Sequence, residues 1–448
     1  MLAKSGLQPL RAAADANSRK LSLREGALPG ECLALRSPRL SKLDCLSGRT
    51  DVTLSRMSKV PFIPAGGAFL FLLSIGPACG GGEENPFSVE SEVVATAEQP
   101  VALAFAPDGR LFFTERTSGD IRVIGSDGQL QSEPFAHLDV ASHIEWGLTG
   151  LAIDPEFETN HYVYAYFTKA VDPPPKITAK PVVTRFTDKD GHGIDQAIIL
   201  EDLPSTFPDR PGLTTIGSIH FGPDGFLYLT IGDYDQGKQP GRNGQPVAQD
   251  LGIPLGKMLR VSKEEGAPAS DNPFVGQSGV DPRIFAYGFY SPFDFAFHPQ
   301  SGQIYGTDNT ASCEELNLIK AGGNYGWPDV GDFPWPDCTA GTQIKGIHFF
   351  AKPETNPGEF LSVPAASGME FVSEKVYPLL KDSLLVCESA TKLMRRLILS
   401  APNFDQVTND DVVAKDCQFD VAVNPDGLVY YSNEHEIRRL VPVPVEAQ

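Results

Sequence analysis

The feature that most constrains this chain is a hairpin written five times over with small changes. An alternating apolar strand meets a short polar turn, usually Pro/Asp/Gly, and a second alternating strand follows. The copies are LAFAPDGRLFFTER at 103–116, LAIDPEFETNHYVYAYFT at 151–168, IHFGPDGFLYLTIGD at 219–233, FAFHPQSGQIYGTDN at 295–309 and VAVNPDGLVYYSNE at 421–434. A degraded sixth copy, MEFVSEKVYPLLKDSLLVCES, occupies 369–389. Asp-Gly favours a tight reversal because Gly tolerates positive φ and the Asp side chain bonds its own backbone. A single hairpin cannot bury both of its faces, so such units must stack on one another to complete a core. The expected fold is therefore all-β: a six-bladed β-propeller of four-stranded antiparallel blades spanning 91–442, with its first blade opening near Val93–Phe105. Pairing strands from both chain ends would close the ring and remove free sheet edges.

A pair of β-sandwiches is the competing arrangement, because the repeat is uneven. The turn prolines Pro107, Pro155, Pro223, Pro299 and Pro425 are separated by 48, 68, 76 and 126 residues. Those intervals call for insertions at 234–250, 262–280 and 328–360. Long loops gathered on one face of a propeller are where a site is expected.

Composition narrows the function. With 37 Lys+Arg against 57 Asp+Glu the net charge is −20, which repels phosphate backbones and excludes nucleic acid as the main partner. The run PFIPAGGAFLFLLSIGPA at 61–78 follows Lys59, precedes Cys79, and is too short and too broken by Gly and Pro for a membrane span. Read from Met57, it has the order of a signal peptide (57–78), with Cys79 placed as in a bacterial lipoprotein box and 79–90 as a tether. Residues 1–56, with ten Lys/Arg and five Asp/Glu, then read as a non-native N-terminal extension; a transit peptide is the rival reading. Export to the periplasm or cell surface follows, or secretion, with the membrane met only through the lipid. Beyond that leader four cysteines remain, Cys313, Cys338, Cys387 and Cys417. Three pairings are open; the local pairs Cys313–Cys338 and Cys387–Cys417 are expected because each closes a short loop between neighbouring strands.

Several blocks then fall in a familiar order. EWGLTGLAIDPEF from Glu145 to Phe157, FGPDGFLY from Phe221 to Tyr228 with Gly232-Asp233, AQDL from Ala248 with LGKMLR from Leu255, AYG from Ala286, EELN from Glu314 and GGNYGWP from Gly322 resemble the soluble glucose/sorbosone dehydrogenase family over roughly 93–440. The resemblance implies a six-bladed propeller that oxidises aldose sugars with pyrroloquinoline quinone (PQQ), held with calcium at the mouth of the central channel. It also implies a general-base His seven residues before the Phe-Gly-Pro-Asp-Gly turn, where this chain has Thr214. A neutral hydroxyl is a poor proton acceptor at the pH where imidazole titrates. The family's Arg-Asn that contacts the cofactor matches Tyr290-Ser291. Its calcium-binding Gly-Pro carbonyls match Asn309-Thr310, and its carboxylate-pairing Arg matches Phe419. The cofactor carries three carboxylates and each charge-assisted contact contributes roughly 1.5–3 kcal/mol, so binding it here is expected to be unfavourable.

Two functions follow. One is a quinoprotein dehydrogenase of sugars or polyols with a rearranged site. The other is a catalytically silent cell-surface propeller that binds a glycan or protein. Glu145, Trp146, Thr214, Tyr290, Ser291, Asn309, Thr310, Trp335 and Phe419 are the expected pocket residues in either case, with aromatic rings suited to sugar faces. Asp188, Asp190 and Asp195 have calcium-loop spacing but lack the twelfth-position Glu, which is Ile199, so a hairpin turn competes. No His pair stands at metal spacing, and no Walker or GxSxG motif is present.

Overall fold

The computed structural model describes residues 89–172, 178–207, 214–310, 313–329, 343–350, 364–372 and 376–442. The expected leader (57–78), Cys79, Cys338 and Trp335 lie outside the described residues. Strand β1 (Ser91–Thr96) comes first. Blade 1 is β2 (Pro100–Phe105), β3 (Leu111–Glu115), β4 (Asp120–Ile124) and β5 (Ala136–His137). Blade 2 is β6 (Leu148–Ile153), β7 (Tyr162–Asp172), β8 (Thr178–Lys189) and β9 (His192–Leu200). Blade 3 is β10 (Ile216–Phe221), β11 (Leu227–Ile231), β12 (Lys257–Val261) and β13 (Ile284–Tyr287). Blade 4 is β14 (Phe295–Phe297), β15 (Ile304–Asp308), β16 (Glu315–Ile319) and β17 (His348–Phe349). Blade 5 is β18 (Ala366–Val372), β19 (Ser383–Glu388), β20 (Leu393–Leu399) and β21 (Val407–Lys415). Blade 6 is β22 (Val421–Val423), β23 (Val429–Ser432) and β24 (Glu436–Leu440), completed by β1.

Each written hairpin is the innermost strand pair of one blade, and every sheet is antiparallel. The first blade opens at β2, one strand later than expected. β1 instead pairs with β24 from Ser91↔Leu440 to Thr96↔Glu436, so both chain ends share one sheet and the ring is closed. The Pro-Asp-Gly turns place only their glycine at positive φ, +86° at Gly109, +79° at Gly225 and +89° at Gly427. Pro supplies the fixed φ that starts the turn. The sixth copy looked degraded because its strands are joined through a 3-10 turn, Pro378–Leu380, in place of a tight reversal.

The blades adhere face to face. Tyr164 and Tyr166 of β7 pack with Leu227 and Leu229 of β11, and Tyr305 of β15 with Leu384 and Val386 of β19. Burying side chains of this size stabilises the ring by roughly 1.5–3 kcal/mol each. The Cys387–Cys417 disulfide ties β19 to the segment after β21, with a Cα–Cα distance of 5.1 Å. Cys313 is disulfide-bonded as well.

Strand direction decides which loops can reach the axis. Connections into each innermost strand, and from the second strand to the third, lie at one end of the ring; the tight turns lie at the other. The insertion at 234–250 joins β11 to β12 at the first end. The insertion at 262–280 joins β12 to β13 at the turn end and lines nothing at the axis, contrary to its expected role. β-bulges fall at Pro100/Leu103 of β2, Leu148/Gly150 of β6, Ile216/Ile219 of β10 and Ala366/Met369 of β18. All four are near the starts of innermost strands, where a bulge re-aims side chains.

Candidate functional site

At the loop end of the axis is a cavity of about 420 Å³, within the size range of small-molecule sites. Its apolar walls are Val101, Ile144, Phe293 and Phe419. Its polar lining includes Arg116, Glu145, Thr214, Asn309, Thr310 and Glu314. Seven expected pocket residues therefore meet in one place: Glu145, Thr214, Tyr290, Ser291, Asn309, Thr310 and Phe419. Trp146 does not join them. It is fully buried behind the wall, where its Nε1 donates to Thr215 Oγ1 at 2.9 Å. Burying an indole requires a partner for its N–H, and Thr215 supplies one.

Thr214 is held on every side. Its φ is +43°, a conformation that disfavours β-branched residues and persists only when surroundings enforce it. Its N–H donates to Glu145 Oε2 at 2.6 Å, and its hydroxyl donates to Asp233 Oδ1 at 3.2 Å while accepting the Asp235 N–H at 2.8 Å. Gly232 makes this possible, because a Cβ there would stand 1.8 Å from the Thr214 carbonyl oxygen. The hydroxyl's proton and one of its two lone pairs are thus engaged.

The carboxylates around the cavity are bonded mainly to backbone and neutral groups. Asp308 accepts the N–H groups of Tyr290 and Ser291 at 3.0 and 2.7 Å, and burial pushes its pKa up to about 7. Asp233 accepts Trp327 Nε1 at 2.7 Å and the Gly237 N–H at 2.8 Å; burial raises it to about 6 despite these bonds. Glu314 accepts the Ala365 N–H at 2.7 Å and burial pushes it up to about 8. Glu145 meets solvent in the cavity yet is surrounded by protein, which raises its pKa against the pull of the Thr214 N–H and Arg116. Tyr290 donates its hydroxyl to Asp235 Oδ1 at 3.1 Å and lies against Trp327, ring centroids 4.5 Å apart.

Arg116 is the one cation lining the cavity among the described residues. Its guanidinium is already committed to Gln99 Oε1, at 2.7 Å from Nη2, and to the carbonyls of Ile144 and Trp146. Among the described residues the cavity offers two carboxyl groups and one engaged guanidinium, a donor set that does not fit a quinone bearing three carboxylates. Fully buried Lys257 does not reach the cavity; its Nζ donates to the carbonyls of Val247, Ala248 and Leu255 at 3.1, 2.9 and 2.6 Å.

An imidazole does lie in the channel, though it does not line the cavity. His220 Nε2 is 2.7 Å from Asp294 Oδ1 and 3.1 Å from Ser218 Oγ. Both partners meet the same nitrogen, so the group is not a relay of the Ser-His-Asp kind, which needs one partner on each nitrogen. Asp294 and Asp420 serve closure: Asp294 Oδ2 accepts the Met369 N–H at 2.8 Å and Asp420 Oδ2 the Leu103 N–H at 2.7 Å, linking blade 4 to 5 and blade 6 to 1.

The calcium-spaced acids form a hairpin turn. Asp190 and Gly191, with φ of +54° and +82°, join β8 to β9. Asp188 is engaged with Arg110 at 2.6 Å and caps the Gly191 N–H at 3.0 Å. Among the described residues no group of three or more His, Cys, Asp or Glu is arranged to hold a metal.

Sequence reasoning missed Arg116, Asp308 and Glu314 as site residues and gave Asp233 no role there. A signal was present. The second strand of three hairpins ends in an acid, Glu115, Asp308 and Glu388, a fourth acid, Asp233, follows β11 by two residues, and each is buried at the cavity end. A repeated acid on a repeated strand end marks a shared structural use, here accepting N–H groups, as Glu115 does from Glu98 and Asp308 from Tyr290.

Comparison with known proteins agrees with the fold. The profile of the glucose/sorbosone dehydrogenase family matches residues 97–441. Aldose sugar dehydrogenase YliI of Escherichia coli is 27% identical over 372 residues, 80% of this chain and 93% of that protein. Quinoprotein glucose dehydrogenase B of Acinetobacter calcoaceticus is 27% identical over 314 residues, 66% of this chain and 61% of that protein. A crystal structure of a Thermus oxidoreductase described as a glucose dehydrogenase superposes with a TM-score of 0.65 at 30% identity, covering 79% of this chain and 100% of that one.

Proposed function

The chain belongs to the glucose/sorbosone dehydrogenase family, and from that premise we propose that its axial cavity binds a sugar or polyol without the quinone. The observation that carries this reading is that the one described cation lining the cavity is already engaged among acidic neighbours. Glu145 and Glu314 line it, Asp233, Asp235 and Asp308 stand close by, and Arg116 spends its donors on Gln99 and two carbonyls. Such a site offers a trianion no unengaged cation among the described residues and accommodates hydroxyl groups, which can donate to its carboxyl oxygens. Thr214, at the position where the family motif carries its base, has its hydroxyl occupied by Asp233 and Asp235. The relatives' sugar chemistry supports the ligand class and the cavity argues against the redox step.

The Cys387–Cys417 disulfide supports an oxidising compartment and with it export, to which the proposal adds Cys79 as the lipidated residue on the sequence pattern alone. No helix among the described residues is long and apolar enough to cross a membrane. The test of function is titration with PQQ and calcium followed by dye reduction over a sugar panel. The proposal expects no quinone uptake and no rate above blank, with saturable binding of at least one sugar or polyol. Quinone uptake with sugar-dependent dye reduction would overturn it.

A further inference from the structure

Resting on that reading, we infer that the ligand of the cavity carries a protonated amine, so that the site takes an amino sugar in preference to its neutral counterpart. Two carboxylates approach the cavity from different blades, Glu145 ahead of β6 and Glu314 ahead of β16. Each has one oxygen bonded to a backbone N–H, from Thr214 at 2.6 Å and Ala365 at 2.7 Å. Neither forms an ion pair with a described cation. A third acceptor, Asn309 Oδ1, is buried in the wall with no hydrogen-bond donor. Its orientation is set by the amide nitrogen, which donates to Ala366 O at 2.7 Å. An acceptor left without a donor costs stability, so this wall is short of N–H groups, while the two carboxyl groups at the cavity have no cationic partner among the described residues.

Candidates for supplying both are a metal ion and an ammonium. A divalent ion needs several oxygens converging within bonding distance, and no such set of acidic or His ligands exists among the described residues. An ammonium needs only one or two well-placed acceptors and brings three donors of its own. The rest of the cavity suits a sugar. Phe293, Phe419 and Val101 offer apolar surface to the C–H face of a ring, and Ser291, Thr310 and Ser389 offer hydroxyls at its edge. Protonation must be balanced. Burial and the neighbouring Glu388 hold Glu314 as a neutral acid up to about pH 8, so an arriving ammonium displaces that proton into solvent and leaves a carboxylate–ammonium pair. At Glu145, Arg116 and Asp235 act in opposite directions on the same balance.

Isothermal titration of the purified chain with glucosamine, glucose and N-acetylglucosamine at pH 7 tests the inference. Glucosamine is expected to bind roughly tenfold more tightly than glucose, with N-acetylglucosamine no better than glucose. Repeating the titration in buffers of different ionisation enthalpy is expected to reveal proton release for glucosamine alone. Glu314→Gln and Glu145→Gln, checked for folding by thermal melting, are each expected to bring the glucosamine/glucose ratio toward one. Equal affinity for the two sugars, or a ratio unmoved by both substitutions, overturns the amine while leaving a sugar-binding cavity. Absence of saturable binding by all three sugars overturns the inference and the underlying reading together.

Discussion

At the turn end of the hairpins Asp108 and Asp188 grip Arg110, and Asp224 and Asp271 grip Arg260. At the loop end Asp308, Asp233 and Glu314 accept backbone, indole and hydroxyl donors and form no ion pair with a described cation. The same residue type is therefore driven in opposite directions. Partly exposed Asp108 is pulled below its ordinary pKa by Arg110, which outweighs its desolvation, whereas burial pushes Asp308 up to about 7. One end is neutralised by design of the side-chain pairs. At the other, Arg395 pairs with Glu388, but Glu145 and Glu314 line the cavity without pairing to a described cation, and a ligand can meet them.

The largest expected effect concerns Lys257, which is fully buried at the loop end. Lys257→Met removes an ammonium shared by three carbonyls and leaves them without a donor, and is expected to cost about 3 kcal/mol or more in urea denaturation. A loss under about 1 kcal/mol would mean that water or a backbone shift replaces it.

Next is the pH dependence of the fold. Asp233, Asp308, Glu314, Glu315 and Glu370 have folded-state values of about 6, 7, 8, 8 and 7. Unfolded carboxyls titrate near 4, so the native state holds protons that the unfolded chain has released. Stability then falls as pH rises from about 4 through about 8. Lys257, lowered to about 7 by burial, acts with the opposite sign above that pH, because there the native state binds fewer protons. Thermal melting is expected to give a clearly higher Tm at pH 5 than at pH 8, and a flat profile would contradict the loop-end assignments.

Paired substitutions sharpen the contrast. Asp308→Asn keeps an acceptor for the Tyr290 and Ser291 N–H groups while removing a charge that burial disfavours. The variant is expected to be at least as stable as the parent at pH 8 and to flatten the Tm–pH slope. Asp108→Asn, at a carboxylate whose side chain is 45% exposed, is expected to change stability by less than about 0.5 kcal/mol at any pH between 5 and 8.

Legibility in the sequence followed the same division. The hairpins are local: a strand, a turn proline and a Gly at positive φ sit within fifteen residues, so pattern alone gives six blades and their closure. The cavity residues that resemblance could align, Glu145, Thr214, Tyr290, Asn309 and Phe419, also came together. What stayed hidden depends on which strand end a residue occupies and what lies across the axis. Trp146 reads as a sugar platform until Thr215, 69 residues on, is seen to take its N–H. Asp188 has calcium-loop spacing in the sequence with a hairpin turn as the competing reading, and only folding brings Arg110, 78 residues earlier, against it. Glu314 reads as part of a family motif, and only folding reveals that no described cation pairs with it.

The most direct test is to crystallise the protein with PQQ, calcium and glucosamine present together. The account predicts a sugar ring in the cavity, its amine within hydrogen-bonding distance of Glu145 or Glu314, and no quinone. A planar quinone seated between Thr214 and Phe419 with cations drawn to its carboxylates would contradict it.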